Sequence, residues 1–531
     1  MKMVKSLLLG TAAGFVAVAG AQAADMPVKA AVQYVKICNL YGDGFYYLPG
    51  TQICVKIGGY VRAEYGYLGG ASMTAEAFNG GNQLSATTNT GPNGYNNRWD
   101  GTDYVQRARA YISMDSRQQT EYGVLRSYIN IGLNYDSPAS NPLVFNGNRA
   151  FVQFAGFTFG LAQSFFDFYS IPASSYWGII ASDTGDGGWK VAAFTAAFGN
   201  GITSTVSLEE PRRIGIIDTN SDANSPFTMF NSANGNSFTN SGAGGDAVKI
   251  RFPDMVWNAR IDQVWGSAQI MFAAHDASAA YYYSTAANGG VNCPAAGFGT
   301  PGSIAGSIVC GHPADTLGWA AGAGFRINVP NTNGSYFQFQ YTHTLGATRY
   351  MFATQTGNYT QMQGGTIGFG WLTDGIVNNF TGGVDLTKVD GINAALDWHW
   401  TPKFWTSIYG TYAHIEYDQA ANASICAVQN VAAAPATAVV GPIVNGVQNP
   451  LPVCANSWSI WQLGSRWQYN FTPAFYMGVD VLYQRLNTAD SGGIATVVTP
   501  ATNAYQGNTP YQITNMDNWG FRFRVHRDIL P

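Results

Sequence analysis

The sequence predicts an all-β fold, a transmembrane antiparallel β-barrel of about sixteen strands, and three observations carry that expectation. The N-terminus is of the exported type, and no later segment offers an apolar helix long enough to span a bilayer. Charge is scarce while hydropathy stays near neutral. The connections between alternating segments are short and long in turn.

Residues 1–23 read MKMVKSLLLGTAAGFVAVAGAQA, with Lys2 and Lys5 in a positive n-region, Leu7 to Ala19 as a short apolar core, and Ala21-Gln22-Ala23 as an A-x-A cleavage site. This is the pattern of a cleaved signal peptide, too short for a permanent span. Its removal leaves 25 basic residues against 31 acidic ones, a net charge of −6. Further on, the most apolar stretch, AVQNVAAAPATAVVGPIV, is broken by prolines and polar residues. Helical spans need about 20 apolar residues and are excluded.

Charged residues make up 11% of the chain, aromatic residues 14%, and there are 63 glycines. Soluble domains carry about a quarter charged residues. With a mean hydropathy of −0.05, apolar and polar residues must alternate finely. A barrel wall with lipid on one side and water on the other has that composition. A secreted sandwich or solenoid is the competing class.

The alternation is explicit. Lys56, Tyr60, Arg62 and Glu64 oppose Ile57, Val61, Ala63 and Tyr65. Arg107, Arg109, Ser113 and Asp115 oppose Ala108, Ala110, Ile112 and Met114. Arg126, Tyr128, Asn130 and Asn134 oppose Leu125, Ile129, Ile131 and Leu133, and near the C-terminus Arg522, Arg524 and His526 oppose Phe521, Phe523 and Val525. Period two is the strand signature. In a sandwich the apolar parity would be the core, so the connections have to arbitrate.

Short turns are expected near Arg117–Thr120, Ala155-Gly156, Gly199-Asn200, Trp265-Gly266, Asn331–Gly334, Thr401–Phe404 and Thr472–Phe475. The last two place proline where a turn needs its fixed φ. Long links are expected over about 68–101, 135–146, 166–187, 211–245, 276–314, 346–385, 418–456 and 487–514. Seven turns and eight loops connect sixteen strands. Loop length sorted by end is the mark of an outer-membrane barrel, with both termini in the periplasm. The weakest strand assignments are 201–210 and 246–264, the latter holding Pro253.

Six cysteines suit an oxidising compartment and fall into three sequence-local pairs, Cys38/Cys54, Cys293/Cys310 and Cys426/Cys454. Six cysteines allow fifteen connectivities, of which nearest-neighbour pairing is the expectation. There is no CxxC and no cysteine–histidine spacing of the metal type, and nothing resembles HExxH. His414 and Glu416 share a parity without a serine motif beside them, so no catalytic centre is expected. Nor is a cofactor or a nucleic-acid partner.

The stretch KICNLYGDGFYYLPGTQICVKIGGYVR, Lys36 to Arg62, resembles the N-terminal signature of the alphaproteobacterial porin family, and Gln163–Phe168 and Asp262–Gln269 agree with it. The resemblance implies a trimeric general-diffusion porin of sixteen strands. It also implies that the third long loop folds into the barrel and narrows it. The chain departs from the outer-membrane pattern at its end, where GFRFRV is followed by HRDILP instead of a terminal aromatic residue.

The organisation expected is therefore a signal peptide (1–23), an N-terminal segment with the Cys38/Cys54 loop (24–53), a barrel (54–527) and a short tail (528–531). The cysteine loop would pin the N-terminus beside the barrel seam. A sixteen-stranded barrel is too wide for side chains to fill, so function rests on what narrows and charges the channel. The expected positive wall is Lys56, Arg62, Arg107, Arg109, Arg126 and Arg149, with Lys56 towards the periplasmic mouth; Asp167, Asp183 and Asp186 of the third loop would form the opposite pole. Opposed charges across a narrow opening create a transverse field that favours polar solutes and ions. The aromatic residues Tyr65, Trp398, Trp400, Trp405, Trp467 and Tyr469 are expected outward, as interface girdles among lipid and lipopolysaccharide. A sugar-selective channel is the alternative, since Tyr60, Tyr111, Tyr128 and Phe151 share the inward parity; a surface structural or adhesin barrel is the third reading.

Overall fold

The computed structural model describes residues 37–67, 104–137, 143–218, 251–280, 312–353, 359–363, 366–378, 381–429, 455–497 and 509–530, with the pairs 439–440, 443–444 and 447–448. The barrel strands are β1 (Cys54–Tyr67), β2 (Tyr104–Thr120), β3 (Gly123–Ser137), β4 (Leu143–Phe154), β5 (Phe157–Ala162), β6 (Trp189–Gly199), β7 (Ile202–Glu209) and β8 (Asp254–Gln263). They continue as β9 (Gly266–Asp276), β10 (Leu317–Asn328), β11 (Tyr336–Leu345), β12 (Lys388–His399), β13 (Phe404–Glu416), β14 (Trp458–Thr472), β15 (Phe475–Asn487) and β16 (Met516–Leu530). Each pairs antiparallel with its neighbours in sequence, and β16 closes on β1 with Arg62 opposite His526 and Glu64 opposite Arg524. Closure satisfies every ladder and leaves no edge, which a strand in hydrocarbon requires.

The alternation resolves as expected for a membrane barrel. On β2, Val105, Arg107, Arg109 and Tyr111 are buried inward while Gln106, Ala108, Ala110 and Ile112 face out. Outward side chains are apolar and open, as with Val61 at 48% and Ile112 at 56% exposure. Inward positions hold Gln, Asn, Thr, Asp and Arg, the reverse of a soluble sandwich core.

Most turns fall where the breaker residues stand; the first does not, for β2 runs through Arg117–Thr120 and the chain turns at Glu121-Tyr122. Ala155-Gly156 and Asn200-Gly201 have positive φ at both central positions, the type I′ geometry that matches strand twist. Pro253 immediately precedes β8, where a missing N–H costs the ladder nothing.

The strand expected over 246–264 is β8, which begins only at Asp254, with 251–253 outside it. Four further expectations need correction. The second link is only 138–142, because β3 and β4 run further than expected. β16 continues to Leu530 instead of ending at 527, held by Asp528 and Leu530 pairing with Tyr60 and Gly59. Trp405 points inward: it lies opposite His399 and stacks on that imidazole at 4.2 Å, on the same parity as buried Ser407 and Tyr409. The long links are not plain loops, for they carry a helix, Gln419–Gln429, and short strands of their own.

Those short strands form one sheet from Tyr359–Gln363, Thr366–Gly370, Thr509–Ile513, Ile494–Val497 and Val439–Val440, and another from Ile216–Asp218, Gly375–Val377 and Val384–Leu386. Beneath them Trp371, Leu372, Phe352, Tyr359, Ile415 and Trp458 share one buried apolar cluster with inward residues of β12–β16. The long-loop end thus has a hydrophobic core inside the barrel mouth. At the other end, Cys38 and Cys54 are joined, and Phe45 packs on them. Cys426 is also disulfide-bonded, whereas Cys293, Cys310, Cys454 and the expected leader, residues 1–23, lie outside the described residues.

Candidate pore constriction

The third long link, 163–188, leaves β5, crosses the barrel interior and returns to β6. Inward polar side chains of the far wall hold its outgoing limb. Gln340 Oε1 accepts from the Tyr169 amide at 2.8 Å, and Gln338 Nε2 donates to the Ser170 carbonyl at 3.0 Å. Ser407 donates to the carbonyl of Ser174.

At the tip, Asp480 accepts from the Tyr176 amide at 2.6 Å and the Ser175 hydroxyl at 3.2 Å, while its other oxygen accepts from Tyr409 Oη at 2.5 Å. Arg522 and Arg524 both donate to the Tyr176 carbonyl, at 2.5 and 3.2 Å. Two glycines make room for this close approach. A Cβ at Gly478 would lie 2.3 Å from Tyr176 Oη, and one at Gly520 would lie 2.8 Å from Trp177. On the return, Gln462 accepts from the Ile180 amide at 2.8 Å and Asn393 donates to its carbonyl at 2.6 Å.

The root of the loop is a buried ionic frame. Asp167 pairs with Arg212 at 2.7 Å, both side chains inaccessible, and accepts from the Thr184 amide and hydroxyl. Burial works against the Arg212 charge, yet Asp167, Tyr350 and Glu209 hold its pKa above the ordinary value. Asp254 extends the frame, accepting from the Arg212 amide at 3.0 Å and from Tyr350 Oη at 2.9 Å and contacting His275 at 2.8 Å. Asp183 accepts from the amides of Ile171 (2.8 Å) and Gly185 (2.7 Å). Asp167 and Asp183 are therefore buried struts of the loop, because its amides and Arg212 need acceptors away from water, and they do not form an exposed acidic pole. Asp186 lies on the turn Gly185–Gly187, and its side chain is outside the described residues.

The arginines of the first four strands share the inward face, but only those of β1 and β2 meet at one level; Arg126 lies opposite Arg117, level with Cys54 at the start of β1. On adjacent β1 and β2, Arg62 lies opposite Arg109 and Glu64 opposite Arg107. Arg107 and Arg109 are only 3% and 4% exposed, the first paired with Asp136 at 2.5 Å and the second donating to Asn134 at 2.7 Å. Arg126 pairs with Asp115 at 2.9 Å and reaches Gln153 at 3.0 Å, lower on the same wall. Arg149 donates to the Gly185 carbonyl at 2.6 Å and so ties the returning limb to β4. Lys56 stands apart, donating to the Asp43 carbonyl of the cysteine-closed segment at 3.1 Å.

Sequence reading missed Glu64, Asp480, Arg522 and Arg524 as site residues. Their inward parity was visible; their meeting was not. Arg524 bonds Glu64 at 2.5 Å across the seam, and the loop tip that Asp480 holds is 304 residues away in sequence.

Comparison with known proteins supplies the lineage. A family model described as the Porin subfamily matches residues 25–516. Porin Omp2b of Brucella melitensis is 30% identical over 223 residues, covering 39% of this chain and 54% of that protein. Porin Omp2a of the same organism is 30% identical over 233 residues, covering 39% and 56%. The chain spans about half the length of the curated relatives it matches. Among solved structures, the outer membrane channel DcaP of Acinetobacter baumannii superposes with a TM-score of 0.53 at 11% identity, over 91% of this chain and 99% of that one, a likeness of fold alone. The family match runs from just past the expected leader to the first residue of β16, and the chain belongs to the porin subfamily.

Proposed function

We propose that this outer-membrane barrel is a passive, water-filled diffusion channel for small hydrophilic solutes and ions, with its constriction between the inward third loop and the wall of β1–β4. The observation that carries the reading is the loop's course. It leans on β11–β16 through Gln338, Gln340, Asn393, Gln462 and Asp480, so the remaining opening borders the arginine wall. Arg62, Arg107, Arg109, Arg126 and Arg149 charge that side. Facing them is the loop, whose own acids Asp167 and Asp183 are spent on Arg212 and on amides. A field across such an opening favours solutes that keep their water or replace it with hydrogen bonds.

The family consists of channels and not enzymes, in keeping with the absence of a catalytic motif in the sequence. The functional unit in this reading is a homotrimer whose apolar belt sits among outer-membrane lipid and lipopolysaccharide. The test is single-channel recording of refolded protein in a planar bilayer. Large steps, grouped in threes and linear in salt concentration, are the expected result. Absence of openings from correctly folded protein would overturn the channel reading.

A further inference from the structure

Among the described residues of the wall formed by β16 and β1–β4, one inward guanidinium is not spent on its neighbours. Arg107, Arg109, Arg126, Arg149 and Arg524 all have acceptors. Half-buried Arg62 uses only its Nε, donating to His526 Nδ1 at 3.2 Å, and its two terminal nitrogens have no acceptor among the described residues. His526 Nε2 in turn lies 3.0 Å from Asp528, so the imidazole accepts on one side and donates on the other, a neutral tautomer that puts no charge of its own against Arg62.

Beside Arg62 runs a shingled row of rings. Tyr176 of the loop tip, Tyr476, His526, Tyr60 and Tyr111 follow one another at 6.3, 4.7, 4.9 and 5.5 Å, tilted by only 20°, 14°, 30° and 10°. Their faces are covered by each other and by guanidinium groups: Arg524 lies 4.1 Å over Tyr176, Arg62 4.8 Å over Tyr60 and Arg109 5.2 Å over Tyr111. A sugar stacks on an open aromatic face, and here the faces are taken. Tyr111, Tyr176 and His526 are buried, so what the row offers the lumen is the electropositive edges of half-buried Tyr60 and Tyr476, together with the guanidinium fork of Arg62. The local charge is still positive: the five arginines Arg62, Arg107, Arg109, Arg522 and Arg524 stand with the four acids Glu64, Asp136, Asp480 and Asp528.

We propose that this wall is a binding site for small planar carboxylates, with Arg62 as the contact residue, and that the passage prefers anions. The inference rests on the channel reading above and names its solute class. The test uses the full-length mature protein in planar bilayers, as wild type, Arg62→Gln and Arg62→Lys, each first checked for the heat-modifiable mobility of a folded barrel. The readouts are the chloride-to-potassium permeability ratio in a salt gradient and current block by benzoate, with glucose as the neutral control.

Wild type is expected to pass chloride preferentially and to be blocked by benzoate but not by glucose. Arg62→Gln should lower the permeability ratio by about 25-fold, since one contact charge in a water-filled opening is worth about fivefold for chloride and about fivefold in the opposite sense for potassium, and abolish the block. Arg62→Lys should keep the preference while losing most of the block, since an ammonium has no fork for a carboxylate. Cation preference in wild type, block by glucose but not benzoate, or a glutamine variant unchanged in both readouts would overturn the site while leaving the channel standing. Folded wild type that never opens would overturn the channel reading itself.

Discussion

Replacing Asp480 by alanine removes the carboxylate that grips the tip of the third loop. Two loop donors lose their acceptor, the Tyr176 amide at 2.6 Å and the Ser175 hydroxyl at 3.2 Å, and Tyr409 Oη is left without its partner on the wall. A hydrogen bond to a charged group contributes roughly 1.5–3 kcal/mol net. The short amide bond and the longer hydroxyl bond together give about 3 kcal/mol at the lower end. Arg522 and Arg524 still hold the Tyr176 carbonyl, so the tip loosens without the barrel opening. At a factor of ten per 1.4 kcal/mol, the released population rises about a hundredfold. Asp480→Asn is the control: its amide oxygen still serves the Tyr176 amide, and the Tyr409 hydroxyl turns to accept from the new NH₂. That variant loses only the charge assistance, about 1 kcal/mol. The assay is hydrogen exchange at the Tyr176 amide, read alongside open-channel noise. Wild-type protection and quiet openings in Asp480→Ala would refute the latch, as would an asparagine variant as severe as the alanine one.

Three further perturbations address other parts of the assembly. Gly478→Val places a side chain where the Tyr176 ring packs, 2.3 Å from its hydroxyl, so the ring must swing off the wall and conductance should fall; unchanged conductance in a folded variant would remove the loop tip from the passage. Asp167→Asn breaks a fully buried ion pair, a loss of about 3–5 kcal/mol, and should lower the temperature at which the folded form is lost; no measurable shift would show that the loop root is not held by Arg212. Replacing both Cys38 and Cys54 by serine opens a link of sequence separation 16 and should cost about 3 kcal/mol, lowering thermal stability while conductance stays as in wild type. A conductance change there would place the N-terminal segment in the solute path.

A strand in a bilayer must show apolar side chains on one parity and polar ones on the other. That boundary acts residue by residue, so it is written locally. The inward setting of Arg62, Arg107, Arg109 and Arg126, the exterior Val61 and Ile112, and the turns at Ala155-Gly156 and around Pro402 and Pro473 could all be read from period two and from breaker residues. The family signature at Lys36–Arg62 added the inward loop. The limits of local reading show at Trp405, assigned to the interface by its residue type although its parity already placed it inward beside His399.

Contacts between inward residues of distant strands are of another kind. Closure of β16 on β1 is what brings Arg524 to Glu64 and His526 to Arg62. The loop's course is what turns Asp167 from a lumen acid into the partner of Arg212, and Asp480 from one inward residue among many into the tip's acceptor. The same holds for the apolar cluster around Trp371 and Trp458, where residues of links that read as polar loops meet inward residues of β12–β16. Parity says which way a side chain points; only the folded path of the chain says what it meets there, because buried amides and charges take whatever partner the closed barrel carries within hydrogen-bond reach.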